Sequence, residues 1–288
     1  MKIIILGYTG LIGHSILENL ASNSSFDLVC VGRNIKDKLY QGERIKYIKW
    51  DFKTFNEKNL SFLKKTNIII NCVGKMNNDK SNLENVNFIF VKKLLKHIKN
   101  YQSKVRLIHL SSVAVYGGAE NYLNLSKIIE ENTTTKTNNL YSKSKLKGDK
   151  LIKNTIKKNF NKDFSFTILR ITNVFGQKKN SNLYRFVMFT LKFGFWIKTS
   201  NEIMYNFVNV KDVSQAVNLI ISKLKVSRNK TYIVSSDFRQ YELYKAYQNI
   251  NKKKFINILF PISVIKFLID FLPMPKIILN FFLIISSK

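Results

Sequence analysis

Apolar residues in this chain fall into short continuous runs that alternate with longer amphipathic stretches. β-Branched and aromatic residues cluster over Lys2 to Leu6, Asp27 to Val31, Arg44 to Lys49, Asn67 to Val73, Val105 to Ser111 and Ser165 to Arg170. Runs of that length suit strands buried on both faces. Between them, helical spacing spans Leu11 to Ser22, Phe55 to Lys65, Leu83 to Tyr101 and Leu140 to Phe160. Strand and helix in alternation predict an α/β fold, a doubly wound parallel sheet of Rossmann-like form, with its ligand at the carboxyl ends of the strands.

After Arg170 the alternation stops. Helices are expected over Asn182 to Phe193, Lys211 to Leu224 and Arg239 to Ile250, with a short strand near Thr231 to Val234. The expected division is a main domain over 1–175 and a small, mostly helical lobe over 176–288, with a segment near 205–235 returning to the main domain. From Phe255 to Ile285 the chain is strongly apolar, but Lys266, Asp270, Pro273, Pro275 and Lys276 interrupt it. No run reaches the roughly 18–20 residues a bilayer span needs. The tail reads as lobe helices packed on the core, with contact at a membrane surface as the other reading. Asn132 to Asn139 reads as an exposed polar loop.

The formal charge is +30, from 48 basic and 18 acidic residues, yet seven of the basic residues are arginine and the lysines are scattered. Base readout favours arginine and a recognisable reading module; the basic residues are mostly lysine and no such module is seen, so nucleic acid is not the expected partner. The field favours small anionic substrates instead. The two cysteines, Cys30 and Cys72, each lie in an apolar run, which leaves no disulfide framework or zinc site. The histidines His14, His97 and His109 lack metal-ligand spacing, so no metal is expected. Met1 and Lys2 lead straight into a strand pattern with no signal-peptide segment, which points to the cytoplasm.

Three stretches carry candidate chemistry. The first strand ends in Gly7-Tyr8-Thr9-Gly10-Leu11-Ile12-Gly13, placing glycines at a strand-to-helix turn where backbone approaches a pyrophosphate and the helix N-terminus favours its charge. Strand two ends in Val31-Gly32-Arg33-Asn34, without the carboxylate that would hold a ribose. Arg33 is either a partner for the 2′-phosphate of NADP or a solvated surface residue. Tyr141 and Lys145 lie four apart at the start of a helix and so share a face. A nearby ammonium would stabilise a phenolate and let it exchange a proton with a substrate hydroxyl. Ser112, at the end of strand five, could hydrogen-bond the reacting oxygen, and Ser111 points to the opposite face.

In this order Gly7-x-x-Gly10-x-x-Gly13, Ser112 ahead of Tyr116-Gly117, and Tyr141-x-x-x-Lys145 resemble the extended short-chain dehydrogenase/reductase family, and within it the NAD-dependent nucleotide-sugar epimerases and dehydratases. The block Leu169 to Gly176 and the segment Phe207 to Val213 resemble further family signatures. The resemblance implies catalysis by Ser112, Tyr141 and Lys145. It implies a NAD or NADP site over Gly7, Thr9, Gly10, Leu11, Ile12, Gly13, Arg33, Asp51, Phe52, Cys72, Val73, Gly74, Asn87, Tyr141 and Lys145. Ser112, Val113 and Asn173 would face the substrate. The implied reaction is epimerisation of a nucleotide-linked sugar, most simply at C4, in surface polysaccharide synthesis; a lipid-linked sugar is the variant the apolar tail would suit. Dehydratases of the family carry an Asp-Glu pair where this chain has Val113 and Ala114. A NADPH-dependent keto-sugar reductase would use the same residues, and an idle dinucleotide-binding sensor would use the same fold. A homodimer is a further reading, and the apolar tail together with the strong positive charge leaves room for a peripheral contact at the inner membrane face.

Overall fold

A computed structural model describes residues 1–35, 40, 42–52, 60–76, 80–101, 104–117, 129–157, 163–176, 192–199, 204–251 and 256–260. The chain divides into two compact units, one formed by Met1–Gly117, Glu130–Ile171 and Val210–Val234, the other by Gly118–Ile129, Thr172–Asn209 and Ser235–Lys288.

The first unit is built on a seven-stranded sheet. Its strands are β1 (Lys2–Leu6), β2 (Asp27–Gly32), β3 (Ile45–Lys49), β4 (Ile68–Asn71), β5 (Val105–Ser112), β6 (Phe164–Ile171) and β10 (Lys230–Val234), in the order β10-β6-β5-β4-β1-β2-β3. All six pairings are parallel. The order reverses between β1 and β4, which opens a crevice at their carboxyl ends where a ligand can enter. Ile3, Ile4, Ile5 and Leu6 are fully buried, because helices cover both faces of a parallel sheet and leave no polar side.

Those helices are α1 (Leu11–Ala21), α2 (Lys80–Glu84), α3 (Phe90–Tyr101), α4 (Leu140–Lys157) and α5 (Val210–Ser222). α1 packs on α5, and Ser15 Oγ donates to the Val210 carbonyl at 3.3 Å. On one side of the sheet Ile4, Leu6, Ile69, Leu107 and Ile168 meet Phe90, Leu94, Ile98 and Ile152 in the main core. Arg106 crosses the amino-terminal end of the sheet, where its guanidinium donates to Thr167 Oγ1 at 3.1 Å and to the Leu224 carbonyl at 2.5 Å. Burial lowers it to about 10.

The second unit carries two small sheets. In one, β9 (Met204–Asn209) lies between β11 (Ser236–Arg239) and β7 (Asn173–Phe175); in the other, β8 (Phe195–Thr199) pairs in parallel with β12 (Ile256–Phe260). α6 (Gln240–Asn251) follows β11. Phe175 sits edge-on to Phe207, and buried Trp196 meets Tyr244 with ring centroids 5.4 Å apart.

The observed elements differ from the sequence expectations at definite places. The helix expected over 55–65 is, among its described residues, a single 3-10 turn over Ser61–Leu63. Phe62 and Leu63 are buried there, and Lys65 takes a left-handed φ of 53° that cannot continue a helix. The helix expected over 83–101 starts at Lys80 and widens into a π turn over Asn85–Ile89. Cys72 lies just beyond β4 and is half-buried, not a strand core residue. Cys30 and Cys72 are both free thiols. Strands β7, β8, β9, β11 and β12 were not anticipated, being short segments that pair with one another and not with the main sheet. Residues 182–191 of the expected helix over 182–193 lie outside the described residues, as does the tail from 261 to 288. Among the described residues no helix is long and apolar enough to cross a membrane.

Candidate active site

The site is assembled from the carboxyl ends of β1, β4 and β5 and from the first turns of α4. At the end of β1, Gly7 has φ 81° and packs against the backbone of Cys72 and Val73 just past β4. Gly13, in the first turn of α1, lies so near the Gly7 carbonyl that a Cβ would fall onto that oxygen and within 2.8 Å of Tyr8 Cα. Only glycine satisfies either position. The result is a tight turn, its Tyr8 side chain buried away from solvent, leading into a helix whose first turn has no acidic residue. The first turn of a helix leaves backbone N–H groups without intrahelical partners and presents the positive end of the helix dipole. This cradle fits the pyrophosphate of a dinucleotide. Gly10 is the extended N-cap of α1, with Leu11 and Ile12 half-buried behind it and Thr9 half-buried before it.

The flanks are placed as follows. Arg33 is exposed immediately after β2. Asp51 is exposed, whereas the Phe52 ring is buried edge-on to Trp50 and Phe90, both 5.4 Å away. Phe52 therefore has only its backbone to offer a ligand. Val73 is buried and Gly74 exposed in the segment after β4. Asn173 is exposed in β7, in the second unit.

The chemistry-bearing side chains meet on α4. Asn139 caps this helix, its Oδ1 accepting from the Ser142 backbone N–H at 2.8 Å. Tyr141 and Lys145 share one face, and the Tyr141 hydroxyl lies close enough to Ser112 to interact with it. Burial raises the Tyr141 phenol; Ser112 pulls it back, and nearby Asp149 adds to the rise. Lys145 is 5% exposed, and its ammonium donates to the Leu110 carbonyl at 3.0 Å. Burial lowers Lys145 to about 8, with Asp149 and then Cys72 opposing the fall. Ser112 is the N-cap of a 3-10 turn over Val113–Tyr116 and accepts from the Ala114 N–H at 3.2 Å. Val113 and Ala114 are half-buried beside it, with no group able to exchange a proton.

Two buried polar devices hold this arrangement. Asn87, inside the π turn, accepts from the Lys75 N–H and donates to the Lys75 carbonyl, both at 3.0 Å, and donates to Ser144 Oγ at 2.9 Å. It thereby joins the segment after β4 to α4. The wider π turn aims this side chain inward, as such turns do at functional sites. Asn71 fixes the end of β4, with Oδ1 accepting from the Val73 N–H at 3.0 Å and its amide 3.1 Å from His109 Nδ1. Burial drives His109 down to about 3, so the ring stays neutral.

Residues 3–235 match the model of the NAD dependent epimerase/dehydratase family. The chain belongs to this family. No curated protein gives a significant sequence match. Solved structures of the same fold include the UDP-Glc/GlcNAc 4-epimerase of Campylobacter jejuni, 18% identical with a TM-score of 0.74, covering 90% of this chain and 86% of that one. The UDP-glucuronic acid 4-epimerase of Bacillus cereus, solved with NAD, is 18% identical with a TM-score of 0.72, covering 91% and 87%. The terminal R domain of the myxalamid biosynthetic pathway is 16% identical with a TM-score of 0.75, covering 100% and 80%. The family is one of NAD-dependent enzymes of the short-chain dehydrogenase type, and the glycine turn of this epimerase/dehydratase member suits that cofactor.

Sequence reasoning missed Asp149, Ser144, Asn71 and the partner of Arg170. Asp149 carried a usable signal: it continues the Tyr141–Lys145 stripe by one more turn. The others are joined across the sheet, at separations that no local pattern reveals.

Proposed function

We propose that this protein epimerises a nucleotide-linked hexose at C4 through a transient keto-sugar. The observation that carries the reading is the Tyr141 hydroxyl beside Ser112, one helical turn from buried Lys145, next to Val113 and Ala114 where a dehydrating enzyme would need acids. The solved epimerases of like fold act on UDP-sugars, which suits a UDP-sugar as the first substrate to try.

Tyr141 removes the C4 hydroxyl proton, and Ser112 donates a hydrogen bond to the same oxygen as the carbonyl forms. Burial opposes the phenolate, so positive charge must be held beside it; Lys145 supplies that charge. A nicotinamide dinucleotide held at the Gly7–Gly13 turn would supply the hydride acceptor and donor, and hydride delivered to the opposite face of the carbonyl would invert the carbon. Tyr141 gives back the proton. Val113 and Ala114 line the carbonyl side without offering an acid or base, which suppresses loss of water.

A reductase reading is favoured by one feature, the exposed Arg33 after a β2 that ends without a carboxylate, which suits the 2′-phosphate of NADP. A panel of UDP-hexoses and UDP-hexuronic acids incubated with NAD and the purified protein, with sugars resolved by chromatography, tests the main reading. The expected product is the C4 epimer of one substrate. Formation of a 4-keto-6-deoxy sugar, or reduction of a keto-sugar only with NADPH, would overturn it.

A further inference from the structure

Beneath Tyr141 and Lys145 lies a buried charged cluster that the reaction as described leaves idle. Asp149, one turn beyond Lys145 on α4, is fully buried, and its Oδ2 accepts from Arg170 Nε at 3.1 Å. Arg170, 3% exposed near the carboxyl end of β6, donates from Nη1 to the Tyr116 hydroxyl at 2.6 Å, and its guanidinium also lies 4.7 Å from the centre of the Tyr116 ring. Tyr116 closes the 3-10 turn that Ser112 opens, and its hydroxyl donates in turn to the Glu131 carbonyl at 3.2 Å. One arginine therefore bridges the two segments that carry the reacting groups, the Ser112 turn and the Tyr141–Lys145 helix.

Replacing a buried ion pair by apolar groups is often neutral for stability, so its presence is not explained by stability. Its position is informative instead. The groups facing Lys145 are Asp149 from α4, Cys72 from the end of β4, and His109 and the Leu110 carbonyl from β5, with Arg170 of β6 and Ser111 of β5 beside Asp149. Burial pushes the Cys72 thiol up to about 12 and His109 down to about 3, so both are neutral near pH 7. Burial also raises the Asp149 carboxyl, and Arg170 foremost pulls it back. Lys153, outside this group, faces Arg170 and Asp149 and is lowered mainly by burial.

Resting on the reading of Ser112, Tyr141 and Lys145 above, we propose that Asp149 and Arg170 act together as a positioning unit for the reaction. Arg170 locks the Ser112 turn to α4, and Asp149 keeps the buried Lys145 ammonium charged at the pH where Tyr141 must act.

The test reads Lys145 directly. In the full-length protein labelled with 13C-lysine, the Lys145 side-chain resonance, identified by its loss in Lys145→Arg, is titrated by NMR. In Asp149→Asn the midpoint should fall by about one unit or more. Because that variant leaves Arg170 uncompensated, Asp149→Asn/Arg170→Gln serves if it fails to fold; its midpoint should also fall. The alkaline limb of kcat/KM should move to lower pH by the same amount. Tyr116→Phe keeps every charge and removes one hydroxyl, so kcat should drop about tenfold with KM and the pH limb unmoved. An unchanged Lys145 midpoint in the folded variant overturns the electrostatic role, and unchanged kcat in Tyr116→Phe overturns the lock. Full activity in Tyr141→Phe would instead defeat the underlying reading of the site, while the NMR midpoint would still report on Asp149.

Discussion

The two sides of the candidate site are built by opposite means. At the β1–α1 turn the design rests on what is missing: without a Cβ at Gly7 and Gly13 the turn packs backbone on backbone and brings the start of α1 to the sheet edge. At the head of α4 it rests on what is packed in: a lysine, an aspartate and an arginine, each 5% exposed or less, with Asn87 and His109 as neutral braces. To a phosphate the first side offers backbone and helix dipole, with no acidic residue in the first turn of α1 to repel it. The second is poised, because burial works against the charge of Lys145 and brings it down to about 8. Binding and chemistry should therefore separate cleanly under mutation.

Gly13→Val should give the largest effect. Its side chain must displace the Gly7 backbone, so dinucleotide affinity by fluorescence titration should fall by at least about a hundredfold, with several kcal/mol of stability lost. Retained affinity would show that the turn is not the phosphate cradle. The pH response comes next. Lys145, lowered to about 8, is charged below that value and neutral above it, so kcat/KM should fall about tenfold per unit at higher pH. Dinucleotide affinity should change far less over the same range. Lys145→Arg, which stays charged, should remove that alkaline fall even if the overall rate is lower.

His109 sharpens the comparison through stability. Its folded value of about 3 lies below the unfolded 6.5, so below pH 6.5 the unfolded chain takes up a proton that the native state refuses. Stability is thus intact above pH 6.5 and is lost as pH falls toward 3, by several kcal/mol at most. Urea midpoints at pH 7, 5 and 4 should decline less steeply in His109→Gln; parallel declines would mean that other groups dominate acid unfolding. The smallest effect belongs to Arg33, which is exposed. Arg33→Ala should weaken NADP severalfold and leave NAD unchanged if it meets the 2′-phosphate. Equal affinities for both cofactors, untouched by the substitution, would remove that role.

The same contrast governs what could be read in the sequence. The glycine turn is a local feature, and its spacing at the end of a predicted strand was enough to place it. So was the Tyr141–Lys145 pair, because four residues make one helical turn. The braces were not legible: Asn87 reaches Ser144 across 57 residues and Arg170 reaches Tyr116 across 54, and such pairings are set by the order of strands in the sheet. The π turn was missed because one inserted residue leaves helical periodicity almost unchanged. Phe52 shows the converse, a position named for a ligand contact whose ring belongs to the aromatic core. In the second unit the described short strands pair with each other, and β12 lies at the start of the apolar stretch from Phe255 that the sequence reads as helix, because a short apolar run does not by itself distinguish strand from helix.

The central claim is a reversible oxidation and reduction at one carbon, with the proton carried by Tyr141. The most direct measurement follows a UDP-hexose and its C4 epimer by chromatography while absorbance at the reduced-nicotinamide band is recorded in the same cuvette. Epimer should accumulate to equilibrium with no net change in that absorbance, and Tyr141→Phe should slow it by about 10²- to 10⁴-fold. Steady consumption of NADPH in proportion to product, or full activity in Tyr141→Phe, would contradict the account.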